Sequence, residues 1–499
     1  MKDARLAYSG LFLKLLLPLH HMPPVKLICL IASLVGSICA AADRPNVVLI
    51  FADDLGWKDV GWNNDGGFIE TPNLDRLKTQ SMTFTHAYAA AGNCAPSRAC
   101  LLSGKYTPRH GVYAVGETDR GPKAKFRLVP VPNTQQLRPG FVTVAEALKA
   151  QGYATGHFGK WHLGASAKGT GPRQQGFDVS PPGLVPPGGD RAEAEEDEEA
   201  SVGSPPRKGA GGEDPKKLFS ITRAAMEFIE TNRHQPFFAF VSHHAVHTRL
   251  EARAATLAKF KAKAERAAEP HVQPVFAACI ADMDAAVGML LAKLAELGLE
   301  QNTLVIFTSD NGGTHPSLNE PLRGAKGGYY EGGIREPFLA RWPGVIAPGS
   351  ECAVPIVNVD LYPTFVAAAG GAPAADLDGE SLLPLLKGNT ELQRAAIFWH
   401  FPGYLDGPVP RGRDPVFRTR PVSVIRKGDW KLHLYHEEWL LDGGSAAVAT
   451  NYALELYNLA ADIGERTDLA QKETAKRDEL LGDLLAWLEK TNAPLAKRP

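Results

Sequence analysis

Pro45-Asn46-Val47-Val48-Leu49-Ile50-Phe51-Ala52, followed at once by Asp53-Asp54-Leu55-Gly56, is the stretch from which the fold can be read. From Val47 to Ala52 the run is apolar without alternation and rich in β-branched residues. A strand with no polar face must be covered on both sides, which is the mark of a central strand in a parallel sheet. Asp53-Asp54 ends the run abruptly, at the carboxyl end of the strand, where open α/β sheets gather their ligands.

Outward from this strand, helix-like and strand-like segments alternate. Helices are expected at 71–80, 141–151, 218–231, 274–297 and 360–369, and strands at 82–88, 153–158, 236–242, 303–309 and 336–341. Such alternation predicts an α/β fold: a large mixed, mostly parallel sheet sandwiched by helices. After residue 395 the pattern turns β-rich, with strands at 422–425, 430–435 and 454–458 and one helix near 478–488. That order predicts a smaller C-terminal α+β subdomain with an antiparallel sheet. The expected division is therefore 43–395 for the larger domain and 396–499 for the smaller. Between 181 and 216, Pro and Gly flank an acidic run and apolar periodicity vanishes, which reads as a disordered insertion.

The totals narrow the class. The chain has 499 residues, is 44% hydrophobic and 22% charged, and carries a net charge of -1. Nothing in that balance suggests a nucleic-acid groove or a basic membrane-binding surface. Residues 1–42 read as an export leader: Lys26, the apolar run 27–35, then Ala40-Ala41-Ala42 before Asp43, with Met22 the expected translation start. The run is too short to span a bilayer comfortably, so no stable membrane insertion is expected. The expected location is periplasmic or secreted. Of six cysteines, Cys94, Cys100, Cys279 and Cys352 lie beyond the leader. Their wide spacing makes no disulfide framework, and pairing of Cys279 with Cys352 stays open.

Four expected strand ends carry polar clusters: Asp53-Asp54, Gly159-Lys160-Trp161-His162, Ser242-His243-His244-Ala245-Val246-His247 and Asp310-Asn311-Gly312-Gly313. One such cluster could be a helix cap; four on one rim point to a site. Asp53, Asp54, Asp310 and Asn311 are hard oxygen ligands, suited to Ca2+ or Mg2+ rather than zinc. The segment Asn93-Cys94-Ala95-Pro96-Ser97-Arg98-Ala99-Cys100-Leu101-Leu102-Ser103-Gly104 adds a nucleophile. Pro96 suits the first turn of a helix, and Cys94 would stand just before it, where free N–H groups favour negative charge. Arg98 follows one turn later. The expectation is an acidified, exposed thiol.

This run, Cys-x-Pro-Ser-Arg-x-x-Leu-x-Ser-Gly, resembles the signature of the type I sulfatases, formylglycine-dependent members of the alkaline phosphatase superfamily. Arg426-Lys427-Gly428-Asp429-Trp430-Lys431-Leu432 and Glu455-Leu456-Tyr457-Asn458-Leu459 resemble that family too, so the likeness covers almost all of the chain beyond the leader. The resemblance implies that Cys94 is oxidised to formylglycine (3-oxoalanine) by a formylglycine-generating enzyme, and that its hydrate is the nucleophile. It implies one Ca2+ held by Asp53, Asp54, Asp310, Asn311 and residue 94. It further implies that Lys160 and Lys326 hold sulfate oxygens, that His247 or Lys326 protonates the departing alcohol, and that His162 helps to expel sulfate. Lys326 stands in a run, 322–333, whose glycines permit close backbone approach. His243 and His244 would support the site, with His110, His315 and His400 as further pocket candidates. Phe398-Trp399-His400-Phe401-Pro402 resembles exported bacterial enzymes acting on sulfated sugars, so the expected substrate is a sulfated poly- or oligosaccharide, with aryl sulfates as artificial substrates. The alternatives are a formylglycine-dependent phosphoester or phosphonate hydrolase and a catalytically silent polysaccharide-binding homologue.

Overall fold

The computed structural model describes residues 44–64, 67–184, 210–266 and 273–499. The expected leader and residues 185–209 of the expected insertion lie outside the described residues. Seven strands build the large sheet: β1 (Asn46–Ala52), β2 (Met82–Phe84), β3 (Ala154–Gly159), β4 (Phe237–Ser242), β5 (Thr303–Ser309), β6 (Leu339–Arg341) and β7 (Glu351–Cys352). Their spatial order is β7-β2-β6-β5-β1-β4-β3. β1 is buried along its whole length and runs parallel to both β4 and β5. Only β6 runs against its neighbours.

The continuous apolar run of β1 has the consequence expected of it. Val47, Leu49 and Phe51 pack on one face with α2 (Cys94–Ser103), α3 (Val144–Ala150) and α6 (Leu361–Ala368). Val48 and Ile50 pack on the other with α1 (Pro72–Thr79), α4 (Leu218–Thr231) and α5 (Pro274–Glu296). Each large apolar side chain so buried contributes about 1.5–3 kcal/mol. α5 is long and apolar enough to cross a membrane, yet most of it is buried in this core. Cys279 on α5 and Cys352 on β7 belong to different core clusters, and both are free thiols.

Local chemistry trims several expected elements. α3 begins at Val144 rather than at 141, because Thr143 and Glu146 form a reciprocal capping box. The expected strand 82–88 breaks in two, and Ala87–Tyr88 joins a small separate sheet with Arg335–Glu336 and Ile356–Val357. The expected strand 336–341 breaks likewise at Pro337, which cannot donate to a ladder.

The C-terminal part forms an antiparallel sheet of β8 (Ile397–Phe401), β9 (Val422–Lys427), β10 (Trp430–Tyr435) and β11 (Leu454–Asn458), in that order. Leu480, Leu484 and Trp487 of α7 (Thr474–Lys490) pack against it. Trp399 ties this sheet to the rest, donating its indole N–H to Ala89 O at 2.7 Å and lying edge-on to Tyr88.

Candidate active site

Parallel register brings the polar strand ends together. Phe51 of β1 sits opposite Ser242, Ala52 opposite Ser309, and Gly159 of β3 opposite Ser242. Asp53, Lys160, His243 and Asp310 therefore open their loops from one rim. α2 starts against the same rim with Cys94 as its first residue, not before it.

Around Cys94 the charges alternate at short range. Its Sγ lies 3.5 Å from Asp53 Oδ1 and 3.7 Å from Asp54 Oδ1. Lys160 Nζ donates to Asp53 Oδ2 at 2.8 Å, and Lys326 Nζ to Asp54 Oδ2 at 3.1 Å. His247 Nε2 stands 3.6 Å from Asp54 Oδ2. All six residues are buried. Lys326 can come this close because Gly312, just beyond Asp310-Asn311, lacks a side chain; a Cβ there would collide with the carbonyl of Gly332 in the glycine-rich run.

Arg98 braces the rim from beneath. Its Nε and Nη2 both donate to Asp310 Oδ2, at 2.9 and 2.7 Å, and its Nη1 donates to Lys160 O at 3.1 Å and Ser242 Oγ at 2.5 Å. These bonds link the ends of β3, β4 and β5, so Arg98 is a positioning residue that acts through Asp310. Asp310 Oδ1 in turn accepts the backbone N–H of Asp54 at 3.1 Å. Asp54 is held there in a left-handed conformation, φ 61°, as is His162 at φ 57°. Such backbone strain concentrates at functional sites.

The oxygens of Asp53, Asp54 and Asn311 are hard donors that suit a divalent cation such as Ca2+. Ligand atoms of Asp53, Asp54, Cys94 and His247 all lie within 4.8 Å of one another. Asn311 donates through Nδ2 to Asp54 Oδ1 at 2.8 Å, while its own Oδ1 is buried with no hydrogen bond. A buried acceptor left over among carboxylates suits a cation ligand. This is a possible metal-binding site, and the sequence reading of it lacked His247.

The expectation of an acidified, exposed thiol is overturned. Cys94 is fully buried, and burial together with the Asp310 and Asp53 carboxylates pushes its pKa well up, against the pull of Lys160 and Lys326. Burial also raises Asp310 to about 6, helped by Asp53 and opposed by Arg98. A helix N-terminus favours a thiolate only where water or uncompensated cations remain nearby.

The histidines divide. His247 faces the cluster, and His162 is half-buried two residues after Lys160. His243 and His244 are buried, and burial lowers His243 to about 3, so it is neutral at pH 7. His110 bonds Cys100 Sγ and the Val112 N–H, and His400 bonds Ser423 and Pro494 O, so both are structural. His315 is exposed. Two contributors escaped the sequence reading. Lys216, within the expected insertion, is buried and donates to His247 O at 2.7 Å and Arg249 O at 2.9 Å. Glu331 anchors the glycine-rich run, and nothing in Pro-Lys-Lys or Tyr-Glu-Gly marks either residue as buried.

A large mostly parallel sheet whose carboxyl rim holds paired carboxylates, two lysines and a helix-borne residue at 94 defines a hydrolase of anionic esters. The family model "Sulfatase" matches residues 45–372, and "N-sulphoglucosamine sulphohydrolase, C-terminal" matches 325–443. A sulfatase from Formosa agariphila is 32% identical, over 91% of this chain and 90% of that protein. Arylsulfatase A of Homo sapiens is 34% identical, over 86% and 84%. The crystal structure of Ps i-CgsB in complex with k-i-k-neocarrahexaose superposes with a TM-score of 0.69 at 25% identity, over 91% of this chain and 95% of that one. The chain belongs to the sulfatase family, whose enzymes hydrolyse sulfate esters.

Proposed function

We propose that this chain releases inorganic sulfate from a sulfated carbohydrate, after oxidation of Cys94 to formylglycine by a formylglycine-generating enzyme and with one Ca2+ held by Asp53, Asp54, Asp310 and Asn311. The carrying observation is the arrangement at residue 94: two carboxylates within 3.7 Å of its sulfur, each balanced by one buried lysine. Formylglycine supplies a hydrate oxygen as nucleophile and Ca2+ supplies Lewis-acid polarisation of the ester.

The chain's own groups do the rest. Lys160 and Lys326 are point charges aimed at the same small volume, placed to bind sulfate oxygens and stabilise charge that develops on them. His247 has a defined tautomer: its Nδ1–H donates to the Thr248 carbonyl at 2.7 Å, so Nε2 is the atom that exchanges a proton. Nε2 faces Asp54 and serves the departing sugar oxygen. His162, beside Lys160, takes the proton whose removal expels sulfate. Arg98 holds Asp310 and, through it, Asp54.

A saccharide substrate is supported by the carbohydrate complex of Ps i-CgsB. Export to the periplasm or medium is supported by the leader-like pattern of residues 1–42. The test is turnover of matched sulfate, phosphate and phosphonate monoesters of one sugar by the full chain matured in the cell. Sulfate release well ahead of phosphate release is expected; the reverse order would replace this reading with a phosphoester or phosphonate hydrolase, and no turnover with sugar binding would replace it with a silent binder.

A further inference from the structure

A lysine that the mechanism above does not use holds the loop that carries His247. The loop, 243–251, runs from the end of β4 to the short strand Ala252–Arg253, and both of its ends are fixed. At the start, the His243 N–H donates to Phe51 O of β1 at 2.9 Å. At the end, Arg253 donates through its backbone N–H and its Nε to Asp282 of α5, at 2.7 and 2.8 Å. Ala252–Arg253 also pairs in parallel with Ala210–Gly211. Between those ends Lys216 Nζ donates to His247 O at 2.7 Å and to Arg249 O at 2.9 Å, and the Lys216 N–H reaches Glu251 Oε2 at 3.4 Å.

The two carbonyls that Lys216 takes flank Thr248, and the Thr248 carbonyl is the one that receives His247 Nδ1–H at 2.7 Å. An ammonium is a compact donor that can serve several acceptors at once. By fixing the peptide groups on either side of Thr248 it fixes the direction of the Thr248 carbonyl, and with it the aim of His247 Nε2. The lysine itself stands on a firm base. Asp214 accepts the N–H groups of Phe219 and Ser220 in the first turn of α4, at 2.7 and 3.2 Å, and Ser220 Oγ donates to it as well. Between that carboxylate and α4, Lys216 and Lys217 are held in left-handed conformations, φ 51° and 58°. Residues other than glycine adopt that region at a cost, so strain is built in where Lys216 turns into the protein. Lysine is among the residues least often buried, yet Lys216 is only 8% exposed.

We propose that Lys216 is a positioning residue for protonation of the departing sugar oxygen, acting on His247 through the backbone of 247–249. The inference rests on the reading of His247 as the proton donor to that oxygen. As the S–O bond breaks, its electron pair stays with the sugar oxygen, which takes the proton from His247 Nε2. A proton donor acts only within hydrogen-bond reach of the atom it serves, so a small rotation of the imidazole removes its effect. The need for it grows with the basicity of the leaving oxygen. A sugar alkoxide leaves poorly without a proton, whereas a nitrophenolate leaves readily. Because Lys216 acts on the backbone of the loop, its loss should change how the rate depends on the leaving group.

The test uses the full chain, matured at residue 94 and held at saturating Ca2+, with a sulfated sugar and a series of aryl sulfates from 4-nitrophenyl to 4-methylphenyl. In Lys216→Met, kcat on the sugar sulfate is expected to fall about 10- to 100-fold and on 4-nitrophenyl sulfate about threefold or less, with intermediate losses along the series. His247→Ala should show the same pattern more strongly. Adding Lys216→Met to it should cost nothing further on the sugar, since the two changes remove one effect. Thermal unfolding is run alongside. Equal losses on every ester, or losses that add in the double variant, would overturn the proposal. If Lys216→Met does not fold, Lys216→Arg decides. It keeps the charge, but its planar fork does not reproduce the two bonds of the ammonium, so a smaller loss with the same trend is expected. A wild-type profile in that variant, or its failure to fold, overturns the proposal. Losses in His247→Ala that ignore the leaving group would defeat the reading of His247 itself, an outcome separate from the failure of Lys216.

Discussion

At the scale of single residues, charge balance around residue 94 is the feature that matters most. Lys160 is fully buried and bonded to Asp53, so its removal takes away a cation at 2.8 Å and leaves Asp53 with Arg98 Nη2 at 4.0 Å; breaking a buried pair costs up to about 3–5 kcal/mol. A divalent cation can replace the lost charge but not the hold on a sulfate oxygen. Lys160→Ala is therefore expected to lose about 10²–10³ in kcat/KM for a sulfate ester, while added Ca2+ recovers stability and not turnover. Kinetics and denaturant titration on the same sample check this, and recovery of both together would make Lys160 merely structural. The Cys94 motif was legible because its spacing is local. The state of its thiol was not, because burial and carboxylates from Asp53 and Asp310, distant in sequence, outweigh the helix start on which the expectation rested.

Between elements, the glycine-rich run that carries Lys326 is fastened to the C-terminal sheet by a buried charge network. Lys431 of β10 donates to Glu331 Oε1 and pairs with Glu465 Oε1, both at 2.9 Å, while Glu465 Oε2 accepts the Glu331 N–H at 2.7 Å. Tyr88 donates to Glu331 Oε2 at 2.7 Å, and Arg426 of β9 donates to Tyr88 in turn. Burial raises Glu465 to about 7, whereas Lys431 and Arg335 hold Glu331 down near 2 against burial. Lys431→Met should destabilise the chain by about 3–5 kcal/mol and impair Lys326, though the two lie on different elements. Urea unfolding with parallel kinetics measures both, and an unchanged midpoint would show that the network carries no such tie. Long buried runs such as β1 and β5 were readable from composition alone. The breaks at Thr85-His86 and Pro337 were not, since only pairing partners decide where a strand changes sheet.

For the whole molecule, the site gathers the ends of β1, β3, β4 and β5 with the start of α2, so a cation bound there stabilises the fold as a unit. A ligand present at a hundred times its dissociation constant adds about 2.7 kcal/mol. Calcium should raise the thermal midpoint, a chelator should reverse the rise, and Asp310→Asn should blunt it; scanning calorimetry decides, and a midpoint indifferent to calcium would contradict the assignment of these oxygens. The α/β class and four of the strand-end clusters could be read along the chain. The order of the sheet, the lone antiparallel strand and the reach of Lys216 to the His247 carbonyl could not, because they depend on contacts between residues far apart in sequence.

Whether residue 94 reacts as formylglycine is read by peptide mass spectrometry across 93–104, on chain co-produced with a formylglycine-generating enzyme. The expected peptide is one in which an aldehyde oxygen has replaced the sulfur of Cys94, with sulfate release proportional to the converted fraction. Sulfate release by chain whose Cys94 keeps its thiol would contradict that expectation.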